Sequence, residues 1–370
     1  MNEKGGLEQL DRMFRPKTIA VIGASGKKGS VGHSLLANLI GNDFQGVVYP
    51  VNLKRESILG VKTYASIKDI PDRVDLAIIA TPARAVPGVV EDCGEAGVSC
   101  LVIISAGFQE AGADGERMCS EILTTAKSYG MRILGPNCLG FINPSHHLNA
   151  SFASKNALPG KIAFISQSGA LCTAILDWSV HNNVGFSYFV SIGSQVDVGF
   201  HDLIDYFGQD RDTKSILIYM ESLTNARKFL SAARAFARTK PIIILKAGKS
   251  NAGAQAAKSH TGSLAGDDAV YDAAFKRAGI IRVNTIEELF YSAQTLSMQP
   301  RPFGKRLAII TNAGGPGVIA TDALIAEGGE IASLGGDTIQ ALNGFLPSAW
   351  SKGNPIDILG DADHERYRKA

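Results

Sequence analysis

The sequence predicts an α/β chain: a Rossmann-like domain, then a flavodoxin-like domain, then the start of a second flavodoxin-like domain. Three observations carry this. Short Val/Ile/Leu-rich runs of strand length alternate with amphipathic helical stretches, the pattern of a parallel sheet covered on both faces. Most runs end in Gly, Ser or Asn, as strand-to-helix turns do. The stretch "MQPRPFGK" at 298–305 interrupts both periods with two prolines and a glycine and reads as a linker. The expected domains are residues 1–150, 151–302 and 303–370.

In the first domain, "TIAVIGAS" (18–25) is the leading strand and "VGHSLLANLIG" the helix after it. "GVVYPVN" (46–52), "DLAIIATP" (75–82), "CLVIISAGF" (100–108) and "RILGPN" (132–137) follow as strands, with helices at 85–97 and 113–129. The second domain opens after "LPGK". Its strands are expected at 161–166, 186–192, 215–220 and 241–246, and its helices at 169–181, 200–208, 225–238, 267–278 and 286–296. "RLAIITNAGGPGVIATDALIAEGG" then supplies a strand, a glycine turn and a helix of a third unit. The residues after it are too few for a whole domain of this type, so the polypeptide is expected to continue. An internal echo links "GKIAFISQSGA" (160–170) to "GKRLAIITNAGG" (304–315): each sets a helix N-terminus at the carboxyl end of a strand.

Composition narrows the function. The 370 residues are 45% hydrophobic and 19% charged, a globular balance, with a formal net charge of +2. That charge gives no electrostatic case for nucleic acid. The apolar runs fall short of a membrane span, and the N-terminus "MNEKGGLEQLDRMF" lacks the features of a signal peptide. Five cysteines without metal-ligand spacing read as reduced thiols, hence a cytoplasmic protein, and no metal site is expected. The 40 glycines have no period and fit turns that approach ligands.

Several turns have the chemistry of a phosphate-bearing ligand. After the first strand, Gly23, Ser25, Gly26 and Lys27 lead to a helix start near Val31, with free N–H groups and the positive end of a dipole. The spacing is not the dinucleotide G-x-G-x-x-G, and no acidic residue follows the second strand to hold a ribose. Val51 and Lys54 stand there instead, and a lysine suits an additional phosphate. Thr81 and Pro82, and Ser105 and Ala106, end adjacent strands and are expected to line the same crevice. Asn137, in "LGPNCLG", can bond a ligand carbonyl or cap its own turn. Ser166, Gln167, Ser168 and Gly169 form an anion-binding turn. Asn312, Ala313, Gly314 and Gly315 offer the same in the third unit. Two such helix ends aimed at one point would hold a phosphoryl group.

Of the seven histidines, His260 sits among small residues in "KSHTGSLAG" (258–266). It reads either as a loop histidine or as a nucleophile that something must approach closely. Glu221 follows the strand "SILIYM" and is open to two readings: a surface or capping residue, or a carboxylate that orients an imidazole through Nδ1 and frees Nε2.

With these residues in view, the chain resembles the NDP-forming acyl-CoA synthetases, typified by ADP-forming acetate–CoA ligase and related to succinate–CoA ligase. "PKTIAVIGAS", "YPVN", "SAGFQE", "GPNCLGFIN", "SQSGA", "YMES", "SHTGSLAG" and "TNAGGPG" carry the resemblance, in order, over nearly the whole chain. It implies a first domain that binds CoA, a phosphorylated histidine at His260, a supporting glutamate at Glu221, and phosphate-holding helices at the "SQSG" and "NAGG" turns. The implied reaction is acyl-CoA + ADP + phosphate ⇌ acid + CoA + ATP, acetate being the family default. ATP or ADP and Mg2+ would be bound by an ATP-grasp subunit or fused domain, since no such domain is visible here. The protein is expected to be oligomeric. Ser194 stands where relatives often have Asn, which weakens inference about the acid from that loop. Two other readings compete: an acyl-CoA-sensing region of a protein lysine acetyltransferase, and a NAD-dependent oxidoreductase. Retention of His260 with Glu221 argues against the first, and the phosphate-loop spacing against the second.

Overall fold

The computed structural model describes residues 3–250, 252–253, 267–299 and 304–370. It divides into two compact units, Met1–Met298 and Gln299–Ala370.

The first unit contains two sheets. Five parallel strands, β1 (Thr18–Ile22), β2 (Val47–Val51), β3 (Leu76–Ile79), β4 (Cys100–Ile103) and β5 (Arg132–Leu134), lie in the order β2-β1-β3-β4-β5. β3 and β4 are buried throughout, which is why their sequences are unbroken apolar runs. The second sheet is built on β8 (Leu158–Ser166), β9 (Gly185–Ser191), β10 (Ser215–Met220), β11 (Ile242–Lys246) and β12 (Ile281–Val283), all parallel. Its order is β12-β11-β10-β8-β9, followed by an antiparallel hairpin of β6 (Gly140–Asn143) and β7 (Leu148–Ser151). Both sheets therefore reverse chain direction beside their first strand. The reversal falls between β1 and β3 in one and between β8 and β10 in the other. Ligands of open α/β sheets bind at such points, outside the carboxyl ends of the strands.

The hairpin at 140–151 joins the second sheet, although the sequence expectation ends the first domain near residue 150. Helix α1 (Glu3–Phe14) was also not anticipated. Its Leu10, Met13 and Phe14 are buried, and Phe14 packs edge-on to Phe141 at 4.9 Å between ring centroids. Arg15 then donates to Tyr188 Oη and Asp210 Oδ1, so α1 is fastened to the second sheet's side of the molecule.

The helices that position the site are α2 (Val31–Gly41), α3 (Val86–Glu95) and α4 (Ala113–Ser128) on the first sheet. Those of the second sheet are α5 (Gly169–His181), α6 (Phe200–Gln209), α7 (Ala226–Phe236), α8 (Asp268–Ala278) and α9 (Ile286–Met298). Among the described residues no helix is long and apolar enough to cross a membrane. In the second unit, strand pairs Arg306–Leu307 with Glu330–Ile331 and Ile310–Thr311 with Ile356–Asp357 accompany helix α10 (Gly314–Ala326).

Candidate functional site

The glycine turn after β1 is shaped by close backbone packing. Gly23 has φ 93°, and a Cβ there would lie 2.7 Å from Ala80 O. Its N–H donates to Val51 O at 3.2 Å. Ser30 caps α2 by accepting from His33 N. Asn52, which the motif reading passed over, ties the turn together. Its amide donates to Ala24 O at 2.8 Å, and its Oδ1 accepts from Lys54 N and Arg55 N at 2.8 and 3.0 Å. A cleft of ≈ 590 Å³ opens here, lined by Gly23, Ser25, Gly26, Lys27, Val51 and Lys54 among others. Lys27, Lys54 and Arg55 bring positive charge to it. Its one acid, Asp92, is paired with Lys68 at 2.6 Å. These residues fit an anionic, phosphate-rich nucleotide such as CoA.

A second cleft of ≈ 690 Å³ lies at the carboxyl ends of β3 and β4 and at the start of α5. It is lined by Thr81, Pro82, Ser105, Ala106, Asn137, Leu139, Gln167, Ser168 and Gly169, together with Phe152 and Thr173, which the motifs did not point to. Thr81 lines both clefts and joins them. Its Oγ1 is buried without a hydrogen-bond partner. Ser105 Oγ donates to Thr81 O at 2.5 Å, and Asn137 N donates to Ser105 O at 3.0 Å, so the three turns form one wall. Asn137 holds φ 55°, a conformation asparagine tolerates better than most residues.

Ser166 differs from its neighbours. It is fully buried, and its Oγ accepts from Ser168 N and donates to Ser168 O, both at 3.0 Å. It shapes the turn, while Ser168 caps α5 by accepting from Leu171 N at 3.2 Å. The second unit repeats this local geometry. Thr311 Oγ1 accepts from Ala313 N at 3.1 Å and donates to Ala313 O at 2.9 Å. There Ala313 is the N-cap residue of α10 and has no side-chain bond to it, so no cap side chain occupies the first-turn N–H groups before Gly314 and Gly315. Asn312 Oδ1 accepts from Tyr367 Oη at 3.0 Å. The echo in the sequence is thus an echo of one hydroxyl-braced turn.

Glu221 lies just past β10, across the second switch point from Gln167, and is only 7% exposed. Gln167 Oε1 accepts from Glu221 N at 2.6 Å and Ser222 N at 3.0 Å, and its Nε2 donates to Ser222 Oγ at 3.2 Å. Burial, then the adjacent Glu221 carboxylate with which it hydrogen-bonds, pushes the Tyr219 phenol up to about 12. Buried Lys246, opposite Met220 on β11, stacks its ammonium over Tyr271 at 4.7 Å. Burial holds that ammonium below its ordinary value, with Asp268 and Glu221 pulling the other way. Glu221 is therefore a fixed, buried carboxylate at a strand end. His260 lies outside the described residues.

Cys138 lines the second cleft, but burial pushes its thiol up to about 12 and that of Cys172 equally. All five cysteines are free and buried. A maleimide at neutral pH is expected to leave the native chain unlabelled and to label it fully after denaturation, as mass spectrometry would read. Rapid labelling of native Cys138 would reinstate a reactive thiol in the cleft.

Comparison with known proteins finds three successive matching stretches of the chain. Residues 17–144 match the CoA binding domain, 159–296 the succinyl-CoA ligase like flavodoxin domain, and 307–370 the Ligase-CoA domain. The chain is 47% identical over 361 residues to acetate–CoA ligase [ADP-forming] I of Archaeoglobus fulgidus, covering 98% of this chain but 52% of that protein. It is 45% identical to the acetate–CoA ligase [ADP-forming] I subunit alpha of Pyrococcus furiosus, covering 98% of this chain and 79% of the subunit. It superposes, with TM-score 0.93 and 42% identity, on the Ca. Korarchaeum cryptofilum dinucleotide forming acetyl-coenzyme A synthetase 1 in complex with phosphate and ADP. That match covers 97% of this chain and 78% of the other. The chain spans about half the length of the Archaeoglobus relative and about four-fifths of the Pyrococcus subunit. On its three matching domains and its identity to both proteins, the chain belongs to the ADP-forming acetate–CoA ligase family, in the region that the alpha subunit represents.

Proposed function

We propose that this chain is the CoA-binding and phosphohistidine-carrying part of an ADP-forming acyl-CoA synthetase, with acetate as the acid. The overall reaction is acyl-CoA + ADP + phosphate ⇌ acid + CoA + ATP. An ATP-grasp nucleotide domain, as a partner subunit or a fused segment, supplies the ADP and Mg2+ site. The setting is cytoplasmic.

One observation carries the reading. Two clefts meet at Thr81, and together they run from three basic side chains to the N-terminus of α5. Lys27, Lys54 and Arg55 hold the phosphates of the nucleotide end of CoA. Its pantetheine arm passes Thr81 and brings the thioester beside Ser168 and Gly169. There the first-turn N–H groups of α5 bind phosphate and stabilise charge on the carbonyl oxygen. A phosphate oxygen attacks the carbonyl carbon, the C–S bond breaks, and CoA leaves as the thiolate. Nε2 of His260 then attacks phosphorus, the bond to the acyl oxygen breaks, and the acid leaves. Glu221 accepts from Nδ1–H and stabilises the imidazolium that forms.

The test supplies the whole chain with acetyl-CoA and radiolabelled phosphate, or with labelled ATP and the ATP-grasp subunit of a relative. The expected product is an acid-labile, base-stable label in the peptide that contains His260. Absence of label, or label on another residue, overturns the reading.

A further inference from the structure

A third cavity opens off the second cleft. It has a volume of ≈ 370 Å³ and shares Ala170 and Thr173 with that cleft. From there it follows one face of α5, past Ala174 to Asp177, a spacing of three and four residues that keeps successive positions on one side of a helix. Its opposite wall is the loop at Ala153 and Lys155. Neither wall is loose. Asn38 of α2 donates to Ser151 O at 2.8 Å and to Ala153 O at 2.9 Å, fixing the loop. An ion pair between Lys155 and Asp177 closes the far end. The side chains along the groove are small and largely apolar, and the charges at its end cancel.

We infer that this groove receives the tail of the acyl group, and that Ala174 and the Lys155–Asp177 pair set the length and polarity of the acid the protein accepts. The inference rests on the proposed reaction, which puts the thioester carbonyl at the N-terminus of α5. An acyl tail leaving that point away from CoA enters at Ala170 and Thr173. From Gly169 to Asp177 the helix rises about 12 Å, at 1.5 Å per residue. That is well beyond the reach of an acetyl methyl group. Beyond acetate, the groove therefore also admits longer uncharged tails, whose methylenes gain by leaving water. A terminal carboxylate would have to displace Asp177 from Lys155 and is disfavoured.

Calorimetry of the whole chain with CoA, acetyl-CoA, butyryl-CoA and hexanoyl-CoA tests this, without phosphate and without turnover. Affinity is compared with that for free CoA in the same variant. Wild type is expected to gain about two- to fourfold per added methylene, the upper figure being full burial of a methylene. Ala174→Phe fills the groove from an exposed helix position and is expected to abolish that gain. Asp177→Ala opens the end and is expected to extend the gain to octanoyl-CoA. A flat series in wild type, or the same slope in Ala174→Phe, overturns the groove assignment. Failure to bind CoA itself would instead overturn the proposed function.

Discussion

Glu221→Gln is expected to slow phosphorylation of the chain by roughly 10²–10⁴, the range in which a positioned acid–base partner or an orienting carboxylate acts. The substitution keeps the size of the side chain. It also keeps the backbone clamp, because Gln167 holds the N–H groups of residues 221 and 222 and not the carboxylate. What changes is charge. A neutral amide cannot stabilise an imidazolium. It also offers an N–H where Nδ1–H needs an acceptor, which favours the wrong tautomer. Glu221 lines neither cleft, so CoA affinity is expected to change less than threefold. Rapid-quench measurement of the acid-labile label, beside calorimetry with CoA, separates the two effects. Glu221→Asp should recover part of the rate, since the charge returns on a shorter arm. A rate within threefold of wild type would take Glu221 out of the chemistry. Parallel loss of CoA binding would make it a structural residue.

The second switch point explains why this carboxylate was only half legible in the sequence. "SILIYM" marks a buried strand, and a glutamate after it stands at a ligand-facing end; that much follows from periodicity. The clamp that fixes it comes from Gln167, a residue 54 positions away. No local pattern encodes a bond across that distance. Its place in "SQSG" suggests a phosphate contact for Gln167. It does line the second cleft, but its amide is turned to the Glu221 turn. Ser166 has the same lesson in reverse: its hydroxyl suits an anion, yet full burial commits it to its own turn.

The five strands of the first sheet and four of the five parallel strands of the second were legible because burial on both faces leaves apolar runs; the edge strand β12, with Ile281 exposed, was not. The other elements that escaped are of different kinds. The hairpin at 140–151 pairs antiparallel, and its sequence, with Asn143 and Asn149, breaks the apolar pattern; both are buried and bonded. Helix α1 carries Gly5 and Gly6 in its first turn, which hid the Leu7, Leu10 and Phe14 spacing. Asn52 looks like a plain turn residue until its bonds to both sides of the nucleotide loop are seen.

Gly32→Ala should damage the site more than any other single methyl group added to the nucleotide loop. Gly32 is the second residue of α2, and an added Cβ would lie 2.0 Å from Gly23 O and 3.3 Å from Ala24 Cα. These are backbone atoms and cannot rotate away. Gly23 is itself held, since its N–H donates to Val51 O at 3.2 Å. The helix must therefore retreat, and with it the N–H groups at its start and the Asn38 amide that fixes the loop at 151–153. Overpacking of this kind costs about 1–3 kcal/mol. For a chain of this size a loss of about 1–5 °C in melting temperature is expected. CoA affinity should fall by about tenfold or more, the equivalent of about 1.4 kcal/mol. Gly26→Ala is the control on the same loop. Its added Cβ meets nothing within 4 Å and its φ is ordinary, so stability should stay within about 0.5 kcal/mol of wild type. Equal melting temperatures for the two variants would mean that α2 does not depend on this contact. The site would then owe its shape to the Asn52 bonds alone.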